Sequence, residues 1–314
     1  MTSLTQKPST LLVVTAFAIV YIVWGSTYFF IQMAIQNIPP LVLGATRFLA
    51  SGSIMLAWCI FTGEKIWNFK FNKHSAISGL LMLFGGNGSL IWAERSVPSA
   101  LAAILVSAAP IWFVLLDKIN WRANLTNVFT LLGLIVGFGG VVLLFSDQLK
   151  ALEGDSTVNP TDLIVLIVGA MLWAGGSLYS KYKATGNSTT VNTTWQMLAA
   201  GAAFIPFSIL HNDFQNFSFS EVPAQAWYAV AYLVTFGSII GFSAYVWLLE
   251  VRPAAQVSTY AYVNPVIAVI LGVAFAGESI SPLQIGGLVI ILVSVLLINL
   301  DKYRKPKAVG LTAE

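Results

Sequence analysis

Residues 11–35 read LLVVTAFAIVYIVWGSTYFFIQMAI, twenty-five consecutive positions without a charged side chain. A hydrocarbon core of ~30 Å is crossed by about 20 apolar residues in a helix, so this run is long enough for one membrane span. It is too long for the apolar region of a secretory signal, which takes ~7–15 residues, and reads as a retained first span. It is not a barrel strand, because those run ~10 residues with alternating polarity and this stretch is continuous.

Working outward, nine further apolar runs follow at about 41–61, 75–93, 98–117, 127–146, 162–182, 189–210, 224–248, 254–276 and 282–300. The breaks carry turn and charge signals: Pro39-Pro40, Gly63-Glu64, Arg95 to Pro98, Arg252-Pro253 and Ser281-Pro282. Charged residues are 9% of the 314 and AVILMFWYC residues 57%, where an ordinary soluble domain carries roughly 25% charged. So few charges cannot solvate a soluble globule, and so apolar a chain is not disordered. The expectation is an all-α membrane protein of ten transmembrane helices with short loops.

Charge sets the orientation. With ten spans, thirteen Lys and Arg fall on one side: Lys7, Lys65, Lys70, Lys73, Lys118, Arg122, Lys181, Lys183, Arg252, Lys302, Arg304, Lys305 and Lys307. Arg95 and Lys150 fall on the other, and Arg47 lies inside a span. Basic loops stay in the cytoplasm, so both termini are expected there.

The two halves repeat. Trp24 matches Trp173 at an offset of 149, and Leu49-Ala50-Ser51-Gly52 matches Leu198-Ala199-Ala200-Gly201 at the same offset. Gly86, Trp92, Pro98 and Pro110 match Gly241, Trp247, Pro253 and Pro265 at 155, and Gly133 matches Gly287 at 154. Five spans per copy is an odd number, so the second copy crosses the membrane in the opposite sense. The domain reading is a first repeat at 1–150 and a second at 151–314, in one bundle. Inverted repeats of this kind build secondary transporters, whose two access states arise when similar halves exchange conformations.

These residues resemble a family. Trp24-Gly25-Ser26-Thr27, Arg47-Phe48-Leu49, Pro98-Ser99-Ala100 with Pro110, Pro253-Ala254-Ala255 with Pro265, and Gly277-Glu278 are similar, in order and spacing, to the drug/metabolite transporter superfamily, EamA-type. The resemblance covers about 11–302 and implies a ten-helix carrier of the bacterial inner (plasma) membrane, often an exporter of amino acids or other metabolites. The first half departs from the family by carrying Trp121-Arg122 where a second Gly-Glu is common.

Other chemistries lack their residues. Cys59 is the single cysteine, and His74 and His211 fall in or beside loops, so no zinc pattern or activated serine is assembled. No enzyme activity, metal or cofactor is expected, and scattered basic residues without interleaved aromatics give no nucleic-acid surface. The partners expected are a small-molecule substrate and the lipid bilayer; the oligomeric state stays open, a monomer being compatible.

Substrate contacts are sought among mid-membrane polar and aromatic residues. Trp24, Thr27 and Tyr28 share the first span, Trp173 and Ser177 stand one turn apart in the sixth, and Asn87 sits among glycines in the third. Ser107, Phe242, Tyr262 and Asn264 complete the expected set. Pro110 and Pro265 are expected to kink their helices, and the carbonyl near 261 that Pro265 leaves free needs a partner. Arg47 lies six residues, ~9 Å, inside its span. It is read either as a gating or substrate-carboxylate contact or as a side chain snorkelling to the interface. No carboxylate lies at a span centre, which favours a facilitator, or coupling through an acid at a span end. The functional expectation is a secondary transporter, an exporter or facilitator of small organic metabolites such as amino acids, by alternating access. The alternative is a non-transporting receptor or scaffold, whose interior would be filled by side chains.

Overall fold

The computed structural model describes residues 8–93, 95–97, 99–151, 159–215, 217–276 and 280–299, and among them the regular structure is helical throughout, without strands. The Gly277-Glu278 pair, Pro98, both basic tails and residues 152–158 lie outside the described residues.

In chain order the long helical segments are α1 (Thr10–Ile35), α2 (Pro40–Phe61), α3 (Phe69–Ala93), α4 (Ser99–Val106 continued by Ala109–Leu116) and α5 (Val128–Leu144). The second set is α6 (Pro160–Lys183), α7 (Thr189–Leu210), α8 (Ala224–Val251), α9 (Ala254–Val257 continued by Tyr260–Ala276) and α10 (Pro282–Asn299). Among the described residues, eight helices are long and apolar enough to cross a membrane. The fourth and fifth of the ten expected spans fall short of that measure: α4 ends at Leu116 and the chain bends by 63° into the helix Lys118–Thr126, and α5 has 17 residues. The third begins at Phe69 rather than 75 because the stretch from Phe69 to His74 already winds as its first turns, after an extended Asn68.

Local chemistry explains the starts and stops. Ser9, Asn127, Asn159 and Ser188 each accept a hydrogen bond from a backbone N–H of the first turn they precede, satisfying donors that no helix can satisfy internally. Pro40 and Pro160 open α2 and α6, where a missing N–H costs nothing. At the far end of α8, Lys181 donates to the carbonyls of Leu249 and, at 2.9 Å, Arg252, placing a cation on the negative end of that helix.

The repeat is visible as reciprocal packing. A Cβ on Gly52 would lie 2.9 Å from Leu198, and one on Gly201 would lie 2.7 Å from the backbone N of Leu49. Both pairs are related by the offset of 149, so α2 and α7 cross with each glycine receiving the other repeat's leucine. Between α5 and α10, Gly133 faces Ile298 while Gly287 faces Leu144, again an exchanged pair. Gly86 on α3 faces Trp173, and Gly241 on α8 faces Trp24. Small residues let helix backbones approach where lipid offers no hydrophobic drive to association.

Both α3 and α8 contain a π-helical stretch, Leu80–Asn87 and Leu233–Phe242, at equivalent places in the two repeats. Such stretches are frequent at functional sites.

Pro110 does not kink a continuous helix. It stands in the first turn of Ala109–Leu116, just after the break, where proline is tolerated. Pro265 does lie inside a helix, Tyr260–Ala276.

Candidate functional site

The two halves meet at a cavity. Its lining comes from α1 (Trp24, Thr27, Tyr28), α2 (Arg47, Phe48), α3 (Gly86, Asn87), α4 (Val106, Ala109), α6 (Gly169, Trp173), α8 (Gly237, Ser238, Phe242) and α9 (Tyr260, Asn264), among others. The cavity volume is ≈ 80 Å³. Apart from Trp173 at the floor, the lining on α1, α2, α3 and α6 stands nearer the helix ends at 35, 40, 93 and 160 than the opposite ends.

The opposite half is sealed. Tyr245 is fully buried, hydrogen-bonded to Ser177 Oγ at 2.6 Å and accepting from Trp173 Nε1 at 3.1 Å. Tyr21 Oη and Thr259 Oγ1 are 2.7 Å apart. Nearer the loops, Tyr182 donates to buried Asp117 at 2.8 Å, and Asn120 donates to the same carboxylate. The Tyr21–Thr259 and Tyr182–Asp117 bonds each join one repeat to the other.

Trp24 and Trp173 meet at the floor, ring centroids 5.5 Å apart and edge to face. Tyr260 and Tyr245 pack on Trp24 at 5.0 and 4.9 Å. The Trp24 indole donates to the carbonyl of Gly237 at 3.1 Å, within the π-stretch of α8. An aromatic floor of this kind gives apolar contact area while its N–H and O–H tips hold fixed partners.

Arg47 does not snorkel. It is 4% exposed, its Nε donates to Ser238 Oγ at 2.9 Å, and its guanidinium carbon lies 5.0 Å from the Phe48 ring centre. Its Nη1 is buried with no hydrogen-bond partner, and so are Asn87 Oδ1 and Asn264 Oδ1. All three residues line the one cavity. None of the described lining residues is acidic, so the protein supplies this cation no carboxylate there.

Of the residues expected from sequence, Trp24, Thr27, Tyr28, Asn87, Trp173, Phe242, Asn264 and Arg47 are brought together in the lining. Ser107, Ser177 and Tyr262 are not. The Ser107 hydroxyl is turned to the carbonyls of Ala103 and Ala261, Ser177 holds Tyr245, and the Tyr262 hydroxyl donates to Leu134 O at 3.0 Å on α5. Their polar atoms serve the packing of the two repeats.

Tyr260 and Ser238 belong to the lining and were not among the expected contacts. A signal for Tyr260 existed: it precedes Asn264 by four residues and so shares its helix face, whereas Tyr262, two residues away, points to the other side. Ser238 had none, because its place depends on the π-stretch. Among the described residues, no group of three or more His, Cys, Asp or Glu is gathered as a metal ion requires.

Comparison with known proteins agrees with this architecture. The EamA-like transporter family matches twice, over residues 11–146 and 161–300. An Escherichia coli (strain K12) protein named "Uncharacterized inner membrane transporter YedA" is 34% identical over 288 residues, covering 91% of this chain and 90% of that protein. A Buchnera aphidicola protein named "Uncharacterized transporter in trpA 3'region" is 27% identical over 298 residues, covering 91% and 92%. A solved structure described as "Crystal structure of protein" shares the fold with a TM-score of 0.75 at 20% identity, covering 94% of this chain and 97% of that one. With reciprocal packing of two halves, and one family pattern found once in each, the chain belongs to the EamA-like transporter family.

Proposed function

We propose that this protein is an inner-membrane carrier of small organic metabolites, amino acids foremost, working by alternating access across ten spans as an exporter or facilitator. The observation that carries the substrate reading is the set of three orphaned polar atoms in one cavity: Arg47 Nη1, Asn87 Oδ1 and Asn264 Oδ1. Buried polar atoms without partners are costly, and each gains a partner if its side chain turns into the cavity toward a ligand. A carboxylate answers Arg47, by charge and by geometry. An ammonium group answers the two amide oxygens. The rings of Trp24, Trp173, Phe48, Phe242 and Tyr260 take the apolar remainder. One cation and no acid in the lining disfavour amines without a carboxylate, and a single arginine is few for a phosphate ester. A cavity with unmet polar tips supports the carrier over an occluded scaffold.

Thermal unfolding of the purified protein against a metabolite panel tests this. A ligand present at ~100 times its Kd stabilises the fold by about 2.7 kcal/mol. Amino acids with apolar side chains should raise Tm, while their amides (no carboxylate) and N-acetyl forms (no ammonium) should not. Equal shifts from an amino acid and its amide would remove the carboxylate reading.

A further inference from the structure

The register that relates α2 to α7 assigns a counterpart to the arginine. At the offset of 149, position 47 maps to position 196, which is Gln196. The correspondence holds in space, since Gly52 and Gly201, five residues on from each, exchange leucine contacts across the α2–α7 crossing.

The two side chains are held alike. Arg47 is 4% exposed and bonded to Ser238 on α8. Gln196 is fully buried, and its Nε2 donates to Ser78 on α3 and Ser180 on α6, each at 2.9 Å. Helices α3 and α8 are themselves repeat equivalents. Each side chain also keeps one buried polar atom without a partner, Nη1 in Arg47 and Oε1 in Gln196. They differ in surroundings. Arg47 lines the cavity, whereas Gln196 stands near the 189 end of α7, in the sealed half beyond the Tyr245–Ser177 layer.

We propose that Gln196 is a second, uncharged substrate station: it faces the cavity when the protein opens toward the 184–188 loop, taking the place that Arg47 has here, and accepts a hydrogen bond from the substrate through Oε1. This rests on the alternating-access reading, in which the halves exchange conformations. Its chemistry follows from the difference between the residues. A substrate carboxylate meets a guanidinium on one side of the cycle and no cation on the other, where the free Oε1 of Gln196 accepts from the substrate's ammonium group instead. The carboxylate is therefore held at the Arg47 station and let go at the Gln196 station. Arg47 is already only 4% exposed here, at the cavity wall; in the exchanged state it loses that wall, and a sealed cation without a counter-ion is strongly unfavourable. The empty protein consequently rests with Arg47 facing the cavity, and a carboxylate on Arg47 relieves the cost of closing over it.

The test uses single cysteines in a Cys59→Ala background, reconstituted in vesicles of defined sidedness, with the impermeant, positively charged methanethiosulfonate reagent MTSET as probe. Arg47→Cys should react from the face of the 36–39 loop and Gln196→Cys from the face of the 184–188 loop. Adding Arg47→Gln to Gln196→Cys should speed that second reaction several-fold, a change that a purely structural glutamine would not show. Ser180→Cys substitutes for Gln196→Cys if the latter does not assemble, and Thr259→Cys in the sealed layer reports opening independently. Reaction at Thr259→Cys with none at Gln196→Cys or Ser180→Cys would overturn the station and leave the carrier standing. Silence at all three would overturn both. An unchanged rate on adding Arg47→Gln would overturn the resting bias that the arginine is argued to impose.

Discussion

The hydroxyl of Ser107, on the first repeat, donates to the carbonyl of Ala261, on the second, at 2.9 Å. That carbonyl is the one Pro265 leaves without an N–H four residues on. Ser107 lies at the break of α4 and also reaches Ala103 O at 2.7 Å, sharing one proton between two acceptors. The proline in one half is thus compensated by a serine in the other. Ser107→Ala should destabilise the protein by about 1–3 kcal/mol, the cost of an unmet buried polar group. Pro265→Ala restores an N–H to Ala261 O, so Ser107→Ala should cost less in that background. Thermal unfolding of the four proteins in this cycle measures the coupling, and additive effects would deny it.

Arg47→Lys keeps the charge but loses the planar fork. The lysine cannot hold Ser238 and present a second N–H to a ligand in the same geometry. Ligand affinity should fall about ten- to a hundredfold, the ~1.5–3 kcal/mol of a charged hydrogen bond, with normal membrane expression. Asn87→Ala and Asn264→Ala should each weaken amino-acid binding but not that of a carboxylate lacking the amine. Binding isotherms for the paired ligands decide it.

Tyr260 and Tyr262 should separate function from stability. Tyr260→Phe alters the cavity wall and should change binding while leaving Tm within a degree or two. Tyr262→Phe removes the donor to Leu134 O deep between α5 and α9. It should lower stability by about 1 kcal/mol or more and leave affinity unchanged. The reverse pattern would show the sequence-based choice of Tyr262 to be the better one.

Glycine substitutions test the crossing of α2 and α7. Gly201→Ala places a methyl 2.7 Å from the backbone N of Leu49 and should cost about 1–3 kcal/mol through overpacking. Gly139→Ala meets nothing within 4 Å and should stabilise α5 by up to ~1 kcal/mol through helix propensity. Opposite shifts in Tm are the expected readout.

Orientation is open to labelling. In a Cys59→Ala protein, a cysteine at position 70 or 183 should stay unlabelled by an impermeant reagent in intact cells, and one at 159 should be labelled. Labelling at 70 or 183 would reverse the assignment of both faces.

Much of the fold was legible because it is written in local quantities. Span length is a count of apolar residues, and the repeat is a register between Trp24 and Trp173 or Gly52 and Gly201. Neither needs knowledge of a neighbour. The carbonyl at 261 was also foreseeable, since a proline always strips the position four residues before it. The side of a helix that meets the cavity was not legible, because a membrane helix is apolar all round and shows no polar stripe to orient it. Tyr260 and Tyr262 are equally apt in composition; spacing puts Tyr260 on the face of Asn264, but only the packing of α9 against α1 and α5 decides which of the two faces meets the cavity. Arg47 stood between two readings for the same reason: its depth allowed snorkelling, and the position of Ser238 on the π-stretch of α8 excludes it. Sequence by itself thus determined the class, the helical runs and the duplication, which follow from hydrophobic length and register. The tertiary structure alone decided which polar atoms are left without partners, because satisfaction is a property of the assembled neighbours.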